Sequence, residues 1–139
     1  VEYNELCKKY SVDELTSQHE ELMWKEIGEV VFLKNFPQHT HPFWNMKYNG
    51  NGIFNKVDVI LFGMETIGSA ERSCNTDEMK RNFITISNGE YAKLLFDKFG
   101  EERVMKELNN YLSLKMFERF GAGIGITRMA RAMKLAKLL

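Results

Sequence analysis

The chain is poor in residues that build covalent or metal-held scaffolds. It has two cysteines in 139 residues, Cys7 and Cys74. Their spacing matches neither a metal site nor a disulfide framework, which excludes a stapled secreted scaffold and fits a reducing, cytoplasmic setting. Charge of one sign is lacking too. Nineteen basic and nineteen acidic residues cancel, so no global field favours nucleic acid. No apolar run reaches membrane-spanning length, and the first residues are no signal peptide. There is no repeat, linker or low-complexity tract. Phosphate-loop and dinucleotide-binding patterns are missing as well.

What is present is an ordinary globular composition, 44% apolar and 27% charged, enough for one domain or part of one. The chain begins at Val1 and stops inside an apolar run at Leu138-Leu139. Both ends read as cut, so a larger protein is expected. The most informative stretch is Gly121-Ala122-Gly123-Ile124-Gly125-Ile126-Thr127-Arg128. Glycines at alternate positions remove the side chains from one face of a strand. Arg128 follows, opening an apolar, basic helical run over Met129–Leu139. A bare backbone floor beside a fixed cation suits a nucleotide, with the ring on the glycines and a phosphate on the arginine. The competing reading is a glycine-rich turn before a helix.

In chain order, Tyr3–Lys9 predicts a short helix. Ser11 and Glu14 offer a capping box for a second helix with an apolar stripe at Leu15, Leu22, Met23 and Ile27. His19, Glu20 and Glu21 fall on its polar side. Val30–Leu33 begins a strand that Pro37 ends. Gln38–Pro42 is a polar connection with His39 and His41. Phe43–Lys47 reads as a second strand, and the two Asn-Gly pairs of Tyr48–Gly52 as a hairpin turn. Ile53–Phe62 returns as a strand, and Gly63–Arg72 continues extended. Helices follow from Asn75 or Thr76 to about Phe83, over Glu90–Phe99, and over Glu101–Phe117. The fold class is α+β, an antiparallel sheet flanked by helices.

Alternation along the strand puts Asp58 on a face with Ile60 and Phe62. A buried carboxylate needs a cation, a metal or several donors. Asp58 and Glu65 are oxygen ligands suited to magnesium held against phosphates. Arg72 and Arg128 suit bidentate recognition of a carboxylate or phosphate. Gly68, Ser69 and Ala70 leave room above the sheet. Internal salt bridging among these charges is the plain structural alternative.

These residues resemble a known family. Gly121–Arg128 resembles motif 3 of the class II aminoacyl-tRNA synthetases. The spacing Asp58, Glu65, Gly68, Arg72 is similar to the preceding segment of the aspartyl/asparaginyl subgroup, shared with asparagine synthetases built on the same core. Phe32–Pro37 and His41-Pro42-Phe43 resemble upstream strands of that subgroup. The resemblance covers roughly residues 30–139. It implies the C-terminal part of one class II catalytic domain, with a helical insertion at about 76–118 and motif 3 at 121–139.

The resemblance also implies roles. Asp58 and Glu65 would hold the magnesium that accompanies ATP. Arg72 would grip the side chain of aspartate or asparagine, and His41 would border that pocket. Arg128 would lie against the adenine and reach the far phosphate, with Gly123 and Gly125 beneath the nucleotide. The activity implied is ATP-dependent formation of an aminoacyl-adenylate. The asparagine synthetase type is the first expectation, with ammonia as acceptor. An asparaginyl- or aspartyl-tRNA synthetase fragment is the second, and a non-catalytic paralogue acting as a binding module the third. No basic, aromatic RNA surface is visible, which leans against tRNA. A homodimer would form through the upstream part that carries motif 1. Motifs 1 and 2 are not found, and nothing before Val30 resembles them. Three positions depart from common patterns of the family: Gly68 where aspartate-activating relatives often have Ser, Glu71 where tRNA synthetases often have Gln, and Thr127 before the arginine.

Overall fold

A computed structural model describes residues 1–139. Its elements are α1 (Tyr3–Tyr10), α2 (Ser17–Glu26), β1 (Val30–Pro37), β2 (Ile53–Leu61), β3 (Met64–Arg72), α3 (Thr76–Thr85), α4 (Glu90–Phe99), α5 (Glu101–Leu112), β4 (Arg119–Ile124) and α6 (Ile126–Leu135). The four strands form one antiparallel sheet in the order β1-β2-β3-β4. The expected α+β class is what the structure has. No helix is long and apolar enough to cross a membrane.

Several local expectations are corrected. Phe43–Lys47 is not a strand. The segment turns, and only Met46 and Tyr48 bridge to Arg72 and Phe54. The last long helix ends at Leu112 rather than Phe117, because Ser113 closes it and Met116 lies outside. The cap of α2 is Thr16, not Ser11. Thr16 and His19 exchange the capping bonds, and Ser11 instead closes α1 in a left-handed conformation. His19 is therefore not merely solvated: its ring accepts from the Thr16 amide at 2.9 Å and stacks on Tyr10.

The β2–β3 connection is a two-residue hairpin turn that chain order alone did not reveal. Leu61 pairs with Met64, and Phe62 and Gly63 both have positive φ, 48° and 72°. Such turns match the twist of the strands they join. A Cβ on Gly63 would come within 3.1 Å of the Glu21 Cα and 3.3 Å of the Trp24 ring. Helix α2 is thus seated on this turn at backbone distance.

Two hydrophobic clusters hold the fold. One face of the sheet packs Val31, Leu33, Phe36 and Ile60 against Tyr3, Leu6 and Cys7 of α1 and Met23 of α2. The other cluster lies within the helices inserted in chain order between β3 and β4, around Phe83, Ala92 and Leu108, with Trp44 packed against it.

Candidate active site

The site grows from one row across the sheet. Leu33 pairs with Asp58, Asp58 with Gly68, and Gly68 with Gly123. Residues directly opposite share a face, so Asp58 has a bare backbone beside it for two strands. The next row, Lys56–Ala70–Gly121, is nearly as bare. The small residues on this face are Gly68, Ala70, Gly121 and Gly123, but side chains cover Gly68 and Gly121, Ala70 is buried, and the room expected above the sheet is left only at Gly123. Ser69 is not part of it; its hydroxyl turns to the Val57 carbonyl at 2.8 Å.

Glu65 reaches this face through a β-bulge. The register runs Val59 to Ile67, then Ile60 to Glu65, so Thr66 is one residue too many on β3. A bulge shifts the alternation by one. Glu65 and Gly68, three apart, consequently share the face of Asp58. A Cβ on Gly68 would lie 3.1 Å from Glu65 Oε1 and 3.5 Å from Asp58 Oδ1. Both carboxylates close over this glycine, and a serine there would crowd them.

Asp58 is 4% exposed. Its Oδ2 accepts from Lys56 Nζ at 2.6 Å, while Oδ1 has no hydrogen-bond partner. Lys56 Nζ also lies 3.7 Å from the centre of the Phe36 ring. Burial pushes the Asp58 carboxyl up to about 6, against the pull of Lys56 and with the help of Glu65 and Glu20. The orphan Asp58 oxygen and the Glu65 carboxylate offer two oxygens of the kind that suits a hard divalent cation such as magnesium, and no third His, Cys, Asp or Glu joins them in a metal-binding group. Asp58, Glu65, Glu20, Lys56 and His41 line one cavity of about 310 Å³. His41, in a left-handed conformation, lies at the exposed margin.

The arginines lie on the glycines. The Arg72 guanidinium donates to Asn45 Oδ1 and to the Gly121 carbonyl, each at 3.2 Å. Its Nε would lie 2.7 Å from a Cβ on Gly121. Arg128 donates to the Glu65 carbonyl at 2.6 Å, and its aliphatic stem covers Gly125. Only Gly123 of the three glycines is open, and Gly125 caps α6 rather than extending β4. The uniform bare floor expected from the sequence is a single opening between two arginines. None of the six ion pairs in the chain involves Arg72 or Arg128. The salt-bridge alternative fails for these two: the partner of Asp58 is Lys56, which sequence reasoning passed over. Glu71, by contrast, is held by Lys47 at 2.6 Å and Asn55 at 2.7 Å, which keeps its carboxyl below its ordinary range.

Glu20 was also missed. Placed only on the polar side of its helix by the sequence, it accepts from the Glu65 amide at 2.6 Å. Burial raises its carboxyl above the ordinary range. No sequence signal linked Glu20 to Glu65 forty-five residues away.

The comparisons agree with this architecture. The family model described as tRNA synthetases class II (D, K and N) matches residues 1–137. The chain belongs to that class II synthetase family. The match begins well before Val30, so α1 and α2 are part of it. Among solved structures, an aspartyl-tRNA synthetase from Entamoeba histolytica aligns with TM-score 0.69 and 19% identity, over 95% of this chain and 28% of its own. An asparaginyl-tRNA synthetase from Pyrococcus horikoshii complexed with asparaginyl-adenylate aligns with TM-score 0.70 and 17% identity, over 94% and 30%. An Entamoeba histolytica asparaginyl-tRNA synthetase in complex with asparaginyl-adenylate aligns with TM-score 0.65 and 21% identity, over 97% and 30%. This chain spans under a third of the length of these structures. No match is found among curated proteins.

Proposed function

We propose that this chain supplies the amino-acid and nucleotide floor of an ATP-dependent ligase that activates aspartate or asparagine as its adenylate. One observation carries the reading: the open backbone of Gly123 lies between a carboxylate pair closed over Gly68 and two arginines without acidic partners. In this reading an α-carboxylate oxygen attacks the α-phosphorus of ATP in line. The bond to the bridging oxygen breaks, and pyrophosphate leaves. Asp58 and Glu65 would hold a magnesium ion, which would supply neutralising charge to the phosphates. Arg128, held by the Glu65 carbonyl, presents its guanidinium to a nucleotide over Gly123. Arg72, fixed in plane by Asn45 and Gly121, presents its fork to the amino-acid side chain, and His41 borders that end. Catalysis here is positioning and charge stabilisation.

Two acceptors complete the reaction, ammonia in an asparagine synthetase or tRNA in an asparaginyl- or aspartyl-tRNA synthetase. The family model and the solved relatives, all tRNA synthetases, favour tRNA. The full-length protein tests the reading by pyrophosphate exchange with aspartate, asparagine and glutamate in turn. Exchange with aspartate or asparagine alone is expected. Arg72→Lys is expected to lose roughly one to two decades of selectivity, since one charged hydrogen-bonding partner is worth about 1.5–3 kcal/mol. A variant as selective as the wild type removes Arg72 from the pocket. A wild type that activates none of the three favours a non-catalytic binding module. Release of asparagine from ammonia, or charging of tRNA, then separates the two acceptors.

A further inference from the structure

The peptide of Glu65 is held on both sides by charged side chains from different helices. Its N–H donates to Glu20 Oε2 of α2, and its carbonyl accepts from Arg128 of α6, each at 2.6 Å. This is the residue before the bulge, where the β2–β3 ladder is interrupted. A bulge leaves backbone groups without regular partners, and a buried unpaired N–H is costly. The neighbouring backbone is anchored in the same way. Arg131 donates to the Phe62 carbonyl at 3.1 Å, and the Gly125 amide to the Thr66 carbonyl at 2.9 Å. Helix α2 is seated on Gly63 at backbone contact, so Glu20 reaches Glu65 from a rigid base.

From this geometry we infer that Glu20 is the positioning residue for Glu65. It holds the bulge so that the Glu65 carboxylate faces Asp58 Oδ1 across Gly68. The inference rests on the reading of Asp58 and Glu65 as a cation-binding pair. Glu20 acts as a hydrogen-bond acceptor, not as a third ligand. Its Oε2 is committed to the amide, and an uncharged acceptor of the same shape performs the same task. Without that acceptor, the Glu65 amide must find another partner and the bulge is free to slip by one residue. Such a slip turns Glu65 to the opposite face.

The test uses the full-length protein with manganese(II) as the probe, binding being followed by electron paramagnetic resonance. Exchange of the Glu65 amide is followed by NMR in the absence of metal. Glu20→Ala is expected to weaken manganese binding at least tenfold and to accelerate exchange of the Glu65 amide. Glu20→Gln, whose amide oxygen still accepts, is expected to restore both to within about threefold of wild type. Glu20→Ala with unchanged binding and exchange overturns the inference and leaves the carboxylate pair standing. Weak binding in Glu20→Gln with a protected Glu65 amide also overturns it, in favour of Glu20 as a direct ligand. A folded wild type that binds no manganese sinks the carboxylate-pair reading and the inference with it.

Discussion

The sheet floor and the helical insertion use charge in opposite ways. On the floor, carboxylates and cations are drawn inward: Asp58 is buried, Glu20 and Glu65 lie beside it, and Lys56 stands among them. In the insertion, charge stays outside. Lys93–Asp97 and Arg103–Glu107 are exposed helical pairs, while the interior is aromatic, with Trp44, Phe83 and Tyr91 packed edge to face. A fold gains stability most directly by burying apolar surface and keeping ions in water. The floor departs from that rule, which is what makes it the candidate site. The two regions meet in one short stretch. Trp44 packs into the insertion, and the adjacent Asn45 holds Arg72.

The largest expected effect lies in the insertion. Phe83→Ala removes a ring that is 4% exposed and touches Trp44 and Tyr91. Such truncations cost about 3–5 kcal/mol, measurable by urea denaturation. Because Trp44 adjoins Asn45, the variant is also expected to loosen the proposed amino-acid end of the site, at Arg72, before the carboxylate end. Equal losses in amino-acid and manganese affinity would show that the regions are not separable.

Next comes the buried carboxylate. The Asp58 carboxyl titrates at about 6 in the fold against an ordinary value of 3.8. A raised carboxyl means that the folded state holds its proton longer than the unfolded chain does. Stability is therefore unaffected below pH 3.8, falls as pH rises from there to about 6, and is level above. The loss amounts to about 3 kcal/mol. Asp58→Asn is expected to recover most of this at pH 7 and none at pH 3.5, while abolishing metal binding. Denaturation at both pH values checks the sign. A variant less stable than wild type at pH 7 would mean that Lys56 outweighs the burial.

Much of this floor was legible because its signals are local. Alternating glycines, a lone Asp between apolar neighbours and an Asn-Gly turn each announce themselves within a few residues, and they pointed to the sheet and to the buried carboxylate on it. What stayed hidden depended on distance or on a shift of phase. The bulge at Thr66 leaves no mark in the alternation, so strict counting puts Glu65 and Arg72 on opposite faces. Glu20 sits in a run of polar residues, and only the seating of α2 on Gly63 brings it to Glu65. Lys56 carries no signal of its own in the sequence, and only the structure shows its ammonium on Asp58. Phe43–Lys47 looks like a strand because its aromatics are read as sheet formers, whereas Trp44 is bound to the insertion.

The smallest effects sharpen the comparison most, since they hold chemistry fixed and change only the surroundings. Lys56–Asp58 and Lys93–Asp97 are ion pairs of nearly equal length, 2.6 and 2.5 Å. The first is 20% and 6% exposed, the second 74% and 64%. Lys56→Met leaves a buried carboxylate without its donor, expected to cost about 1–3 kcal/mol at pH 7. The cost should vanish below pH 3.8, where Asp58 is protonated in both states. Lys93→Ala breaks a solvated pair whose attraction is weakened by water and salt. Alanine is also the better helix former, which offsets part of the loss. The net change is expected to stay below about 0.5 kcal/mol and to shrink further in 0.5 M salt. Paired denaturation curves of the two variants at low and high salt decide the matter. Equal costs for the two lysines would mean that the burial of Asp58 carries no energetic weight, and the contrast between floor and insertion would fall with it.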